Sequence, residues 1–402
     1  MNLVGLDLNA SRARAVQGDG PSSVRPLPRG LPLEGDEREL PLAVSLEERQ
    51  PRVGRAGVSV CRRSPHLACL DFLPHLGADR LWEGGRHRLD AAAALALVCE
   101  HLRRQFGRAA GVTVALPAYF RAAQVAQLSE TAKRARWRLL GSVRSPVAAL
   151  LAVHHRLPRL SQAVVIDLDS YALTWSAVAV QNDGVRLLHV HPVPQLGRGA
   201  WLSRLLDGVA LRCIRLSRRD PRKLAETEQM LFDQLAAVLD SPRGEAPVEL
   251  VLQTPHWYQH LKFSLAELSS WCAPLIQRAR LEMQRFLADI ADGGAVDAVL
   301  LTAPAARLPG LAASVEEAIY PTDAEPPIEE GEDDFGVSLI ETNMLSRSIH
   351  ILDDDAVARG AFDLALRQQC GDLPYGHLEG ISLSAGDAER SDPIRLPFRG
   401  TA

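Results

Sequence analysis

Lysine is almost absent from this chain of 402 residues. Only Lys133, Lys223 and Lys262 occur among 45 basic residues, and the other 42 are arginine. The basic residues are dispersed without a long basic block, so the sequence gives no electrostatic footprint for nucleic acid. The excess of arginine indicates a coding bias rather than a phosphate-binding surface.

Long apolar runs and paired cysteines are also missing. No segment approaches the ~18 apolar residues of a membrane span, and the N-terminus lacks the basic and apolar stretches of a secretory signal. The six cysteines show no C-x-x-C spacing, which argues against a zinc ribbon or a disulfide framework. We therefore expect a cytoplasmic protein with reduced thiols and without a membrane or nucleic-acid partner.

Apolar patterns predict strands and helices that alternate through two halves of the chain. The first half contains a helix that Asp90 caps and a strand at 111–116. The second half opens with a strand near residue 162 and contains a long helix with a capping-box pattern at Ser264 and Glu267. Each half begins with an apolar strand that contains Asp-Leu, which predicts two related α/β lobes.

Several segments carry a family likeness, and they occur in the family's order. The strongest match is "VALPAYFRAAQ", followed by "SPVAALLAV" at 145–153. The weaker matches are "GLDLNAS", "VVIDLDSYALT", "LGRGAW", "LLTAPAARLPG" and "DDDAVARGA". Together they resemble the nucleotide-binding domain of the seventy-kilodalton heat-shock chaperones, within the actin-like ATPase fold.

This resemblance implies a two-lobed α/β fold in which each lobe is a mixed β-sheet with flanking helices. Lobe I would comprise residues 1–160 plus a closing helix at 353–370, and lobe II would comprise 161–349. The composition of residues 371–402, rich in Gly, Ser and Pro, predicts a weakly ordered tail. The likeness covers about residues 3–370 and contains no counterpart of the family's peptide-binding domain. ATP and Mg²⁺ are the cofactors that it implies.

The resemblance also implies which residues line the nucleotide cleft. In this fold two hairpin loops hold phosphates through backbone N–H groups, and carboxylates organise Mg²⁺ through its waters. Asp7 and Asp167 would be these metal-organising carboxylates and would face one cleft; the alternative is a strand-end Asp that bonds its own turn. The residues carried over to the cleft are Asp7, Asn9, Ser11, Asp167, Asp169, Gly197, Gly199, Ala303 and Asp354.

Both loops depart from the family's pattern. The first has Asn9-Ala10 in place of Gly-Thr, and the second has Asp169 and Tyr171 in place of glycines. Asp169 adds negative charge beside a polyanion, and Tyr171 adds bulk where backbone must approach closely. We expect these two side chains to fill the phosphate site and to hydrogen-bond the donors that a phosphate would use.

The catalytic positions are changed as well. The family's lysine falls on Leu73, and residues 1–132 contain no lysine at all. Its glutamate falls on Ser145. Arg62 or Arg63 would be the nearest replacement cations, but a guanidinium does not substitute for a compact ammonium charge. We therefore assign no catalytic residue.

Three hypotheses about function follow. The first is a chaperone-family domain that hydrolyses ATP weakly or not at all and acts through contacts with an unidentified protein. The second is an ATP-dependent chaperone or ATPase with an unusual site. The third, an actin-like filament protein or sugar kinase, matches the segment "VALPAYFRAAQ" around Pro117 less well and lacks a substrate carboxylate motif. The fold alone does not decide among them.

Overall fold

The protein is a mixed α/β structure built on two main β-sheets. The computed structural model describes residues 2–20, 28–157, 160–181, 184–241, 246–255, 257–290, 296–319, 348–382 and 393–394. Within these ranges no helix has the length and apolar character needed to cross a membrane.

The strands of the described chain are short and number twenty-one. They are β1 (Asn2–Leu8), β2 (Arg12–Asp19), β3 (Arg29–Leu31), β4 (Glu39–Pro41), β5 (Ala43–Ser45), β6 (Arg52–Val53), β7 (Ala68–Leu70), β8 (Leu81–Gly84), β9 (His87–Asp90), β10 (Gly111–Leu116), β11 (Leu139–Arg144), β12 (Gln162–Leu168), β13 (Leu173–Gln181), β14 (Gly184–Val193), β15 (Val248–Thr254), β16 (Trp257–Phe263), β17 (Ala298–Leu301), β18 (Ser348–Ile351), β19 (Gly376–Leu378), β20 (Gly380–Ser382) and β21 (Pro393–Ile394).

Ten α-helices accompany these strands in the same part of the chain. They are α1 (Arg55–Val58), α2 (Ala91–Phe106), α3 (Ala122–Arg134), α4 (Ser145–His154), α5 (Arg198–Ser217), α6 (Ala225–Asp240), α7 (Leu265–Asp289), α8 (Ala303–Ala306), α9 (Leu311–Ile319) and α10 (Ala356–Cys370).

The two main sheets share one arrangement of their central strands. In the first, β1 pairs antiparallel with β2 and parallel with β10, which pairs parallel with β11. In the second, β12 pairs antiparallel with β13 and parallel with β17, which pairs parallel with β18. The parallel strands are buried apolar runs, as sheets covered on both faces require. The sequence's two related halves therefore correspond to two sheets of similar topology.

Helices α4 and α10 lie between the two sheets. Helix α4 contacts β10 and β11 of the first sheet and β12, β13 and β14 of the second. Helix α10 packs on α4 and on β1, and a Cβ on Gly360 would lie 1.9 Å from the carbonyl oxygen of Ala148. Because only glycine permits so close an approach, the two helices cross backbone against backbone.

The segment after α10 differs from the weakly ordered tail predicted for 371–402. Strand β19 pairs with β11 of the first sheet, and β20 pairs with β14 of the second. Residues 376–382, which we call the crossover segment, thus add one edge strand to each sheet. Their backbone hydrogen bonds supply the order that a Gly- and Ser-rich composition did not predict. Residues 383–392 and 395–402 lie outside the described chain.

Local signals predicted individual elements well. The Asp90 side chain accepts a hydrogen bond from the backbone N–H of Ala93 at 2.6 Å, so the predicted cap of α2 is confirmed. Ser264 and Glu267 form the predicted capping box of α7. The acidic stretch at 321–335, whose prolines predict a loop, lies outside the described residues.

Candidate functional site

The two strand-end carboxylates lie at one narrow cavity between the sheets. Asp7 is the penultimate residue of β1 and Asp167 the penultimate residue of β12, and both line a cavity of about 10 Å³. That volume is close to the minimum for a single water molecule. Ala303 and Asp354 line the same cavity, as does Asn9.

Burial changes the proton affinity of both carboxyls. Burial, followed by the charge of Asp167, raises the pKa of Asp7 to about 7. Burial also raises the pKa of Asp167, against the hydrogen bonds that it accepts. Two carboxylates in so small a space disfavour ionisation of each other.

The carboxylate of Asp167 accepts hydrogen bonds from three groups of the protein itself. Thr302 Oγ1 donates to its Oδ1 at 3.0 Å, and the Leu168 N–H donates to the same oxygen at 2.9 Å. Ser145 Oγ donates to Oδ2 at 3.3 Å. Ser145, which the resemblance places at the catalytic glutamate, therefore bonds the aspartate across the junction of the sheets.

Asp169 connects the two hairpin turns. Its Oδ2 accepts from the backbone N–H of Ala10 at 3.1 Å, in the turn between β1 and β2. Its Oδ1 accepts from the N–H groups of Tyr171 and Ala172 at 2.9 Å each, in the turn between β12 and β13. The residue is only 4% exposed. The carboxylate thus uses backbone donors from both loops that the resemblance assigns to phosphate.

Tyr119 completes the hydrogen bonds of Asp169. Its hydroxyl donates to Asp169 Oδ2 at 2.5 Å, and its ring lies 4.9 Å from that of Tyr171 between centroids. Burial, and then the charge of Asp169, raise the pKa of Tyr119, so the phenol remains a donor at neutral pH. Burial raises the pKa of Asp169 to about 6, although the hydrogen bond from Tyr119 acts in the opposite direction.

The first turn is held by its own asparagine. Asn9 Oδ1 accepts from the N–H groups of Ser11 at 3.0 Å and of Arg12 at 3.1 Å, which is an Asx turn. Ser11 Oγ is buried and has no hydrogen-bond partner within the described ranges. The Asn9 side chain therefore stabilises this turn, where the resemblance predicts a glycine.

The glycine segment between β14 and α5 packs on the second turn. A Cβ on Gly197 would come within 2.7 Å of the Ser170 carbonyl oxygen, whereas a Cβ on Gly199 would meet nothing within 4 Å. The Arg198 N–H donates to the backbone oxygen of Asp169 at 2.9 Å. Gly197 is thus sterically required, and Gly199 lines a larger cavity.

Asp354, just before α10, is held by two buried arginines. Arg14 Nη1 lies 3.0 Å from its Oδ1, and Arg307 Nη2 lies 2.5 Å from its Oδ2. Burial opposes ionisation, but the hydrogen bond from Arg307 and the charge of Arg14 hold the pKa of Asp354 below its usual value. Sequence reasoning missed both arginines; the signal for Arg14 was a charge repeated in the apolar strand "RARAV" of β2, and Arg307 had none.

A cavity of about 300 Å³ lies beside the hairpin turns. Ser11 and Gly199 line it, together with Arg62, Phe232 and Ala236. The Arg62 guanidinium lies 4.8 Å from the centre of the Phe232 ring. This volume is at the lower end of the range for small-molecule pockets, ~300–1,000 Å³.

Leu73, which the resemblance places at the catalytic lysine, lines neither of these two cavities. Leu73 is fully buried in the core under the first sheet. Arg62, one suggested replacement, lies 3.6 Å from Glu228 of α6, and Arg63 pairs with Glu47 at 3.2 Å. Both guanidinium groups therefore lie beside acidic side chains of the chain itself.

The residues present do not fit a bound Mg-ATP. Asp167 and Asp169 accept protein donors, and the space between Asp7 and Asp167 is about that of one water molecule. No group of three or more metal-ligating side chains occurs in the ranges that the structure describes.

Comparison with known proteins adds no assignment. No protein-family model matches the chain, and no curated protein matches it significantly.

Proposed function

We propose that this chain is a two-lobed, actin-like domain of the seventy-kilodalton heat-shock chaperone type whose nucleotide cleft is filled by its own side chains. Lobe I would comprise residues 1–160 with 353–370, and lobe II residues 161–349. Two sheets of matching topology, with α4 and α10 between them, support this assignment. The crossover segment would join the sheet of lobe I to that of lobe II.

The function we propose is a chaperone-family protein that hydrolyses ATP weakly or not at all and acts through protein contacts. The observation that carries it is Asp169, whose carboxylate accepts N–H groups from both hairpin turns. A phosphate would need the same donors, and it would add negative charge beside a carboxylate that is ionised above about pH 6.

Further bonds join the proposed lobes without a ligand. The Gln229 side chain of α6 accepts from the Arg62 N–H at 2.7 Å and donates to the Val58 carbonyl at 3.0 Å. On the other side of the cleft, Arg14 and Arg307 share Asp354. A ligand shifts the equilibrium between open and closed lobes only if it binds the two states with different affinities. We therefore expect nucleotide to leave the arrangement of the lobes unchanged.

The alternative is an ATP-dependent chaperone that breaks these hydrogen bonds and ion pairs before it binds ATP. Titration calorimetry of Mg-ATP into the full chain separates the two hypotheses. We expect no heat of binding for the native protein at millimolar nucleotide and hydrolysis at the buffer background. Saturable binding with turnover that Asp167→Asn abolishes would establish the alternative.

A gain-of-binding variant makes this test sharper. Asp169→Gly combined with Tyr171→Gly removes a charge and a ring and frees backbone donors of both turns. We expect this double variant to bind Mg-ATP where the native chain does not. The matched control, Asp79→Gly with Tyr258→Gly, removes the same groups at exposed positions and is expected to leave the native behaviour unchanged.

A further inference from the structure

The charge of the chain is unevenly distributed around the end of α5. Residues 211–224, "LRCIRLSRRDPRKL", contain six cationic residues and one acidic residue, whereas the whole chain has a net charge of −4. All six cations of this segment are exposed. We call the exposed residues of 211–224 the basic face.

Aliphatic side chains are exposed among these cations. Leu211 is 48% exposed and Ile214 is 36% exposed, and they share one side of α5 because they are three residues apart. Leu216 and Leu224 are each 58% exposed. Cys213 is fully buried in the core of the second sheet, so α5 packs through one side and leaves this mixed side to solvent.

We propose that the basic face binds the surface of an anionic lipid bilayer, with its aliphatic side chains inserted at the headgroup level. Residues 211–217 form the exposed end of α5 and residues 218–224 follow it, and interleaved cations and aliphatic residues are typical of segments that lie at such an interface. The inference is independent of the state of the nucleotide cleft. It departs from the predicted absence of a membrane partner, because that prediction rested on the lack of a long apolar run, and a segment that lies at a bilayer surface needs none.

The composition of the face favours lipid over the other anionic partners. It contains no aromatic residue, and base stacking on aromatic side chains is what single-stranded nucleic acids use. A protein interface needs a core depleted of charge, but every exposed aliphatic residue here has an arginine or lysine as its chain neighbour. A headgroup layer accommodates both kinds of side chain side by side.

Vesicle sedimentation of the full chain tests the proposal. We expect binding to vesicles of phosphatidylcholine and phosphatidylglycerol in equal parts, no binding to phosphatidylcholine alone, and weaker binding as salt increases. Arg212→Gln with Arg215→Gln is expected to lower the affinity by about tenfold or more. Leu211→Asn with Ile214→Asn is expected to lower it as well, because aliphatic insertion contributes to binding.

Matched controls separate this face from general charge effects. Arg103→Gln with Arg104→Gln makes the same charge change on the exposed end of α2, and Leu81→Asn removes an exposed leucine elsewhere. Both are expected to bind like the native chain. Absence of binding to anionic vesicles at low salt would overturn the proposal. So would equally tight binding to duplex DNA or polyglutamate that Leu211→Asn with Ile214→Asn leaves unchanged, which would assign the face to polyanions in general.

Discussion

The hydroxyl of Tyr119 donates a hydrogen bond of 2.5 Å to the carboxylate of Asp169. Tyr119 follows β10 of the first sheet, and Asp169 follows β12 of the second. The same carboxylate accepts the Ala10 N–H, so one side chain joins three segments. Hydrogen bonds to a charged group are the stronger ones in proteins, and this one is shielded from water.

Tyr119→Phe is expected to destabilise the protein. The variant keeps the ring contact with Tyr171 and removes the donor to a buried carboxylate, at a cost of about 1.5–3 kcal/mol. Urea unfolding measures this difference. Tyr375→Phe is the control, because Tyr375 is 56% exposed. Equal effects of the two substitutions would contradict the role of the Tyr119–Asp169 bond.

Asp7→Asn is expected to stabilise the protein at neutral pH. The pKa of Asp7 is about 7 in the folded state against an ordinary value of 3.8. Between pH 3.8 and pH 7 the folded state therefore keeps a proton that the unfolded state has lost. Stability from that proton is present at low pH and is lost as pH rises through 7. A difference of one in pKa corresponds to about 1.4 kcal/mol. Denaturant unfolding across this window should show the variant's advantage growing with pH; a constant difference would refute the assignment.

The contribution of His377 to stability depends on pH in the opposite direction. Its Nδ1 lies 2.9 Å from Ser142 Oγ. Burial, and then the charge of Arg144, lower the pKa of His377 from 6.5 to about 4. The neutral imidazole therefore contributes stability above pH 6.5, which is lost as pH falls towards 4. His377→Gln is expected to lose less stability than the native chain over this interval.

The His377 comparison is made on differences between variants, because Asp7 and Asp169 titrate in the same interval with the opposite sign. His66→Gln is the control, since His66 is exposed. We expect the His66 variant to follow the native profile. If His377→Gln showed the same dependence of stability on pH as the native chain, the assignment of a buried, neutral imidazole would be contradicted.

Gly360→Ala tests the crossing of α4 and α10. The added methyl group would lie 1.9 Å from the Ala148 carbonyl oxygen, so the helices must separate at a cost of about 1–3 kcal/mol or more. Gly199→Ala, where nothing lies within 4 Å, is expected to be neutral or stabilising by up to about 1 kcal/mol because alanine favours the helix. Thermal unfolding of both variants checks the contrast; similar melting temperatures would refute it.

Much of the local structure could be predicted from the sequence because its signals are local. Asp90 and the Ser264–Glu267 pair act within one helical turn, and they cap the helices as expected. The carboxylate of Asp169 was expected to use the donors of the hairpin turns, and it does. A residue such as Asp169, at a turn position where the resemblance predicts glycine, can be recognised from the sequence alone.

The long-range contacts could not be predicted in this way. Arg14 and Arg307 meet at Asp354, which is 340 residues from Arg14 along the chain. No periodicity or spacing relates such residues, and only the fold brings them together. The crossover segment was missed for a related reason: a three-residue strand has too few side chains to show alternation, and its order comes from the sheets on either side.

The crossover segment also has a consequence for synthesis of the protein. Translation adds about 5–20 residues per second, so β19 and β20 leave the ribosome on the order of ten to forty seconds after β14. During that interval β11 and β14 each present an unpaired edge, where another strand can add. Through that interval the nascent chain carries both unpaired edges, and release of β19 and β20 joins the two sheets and removes that hazard.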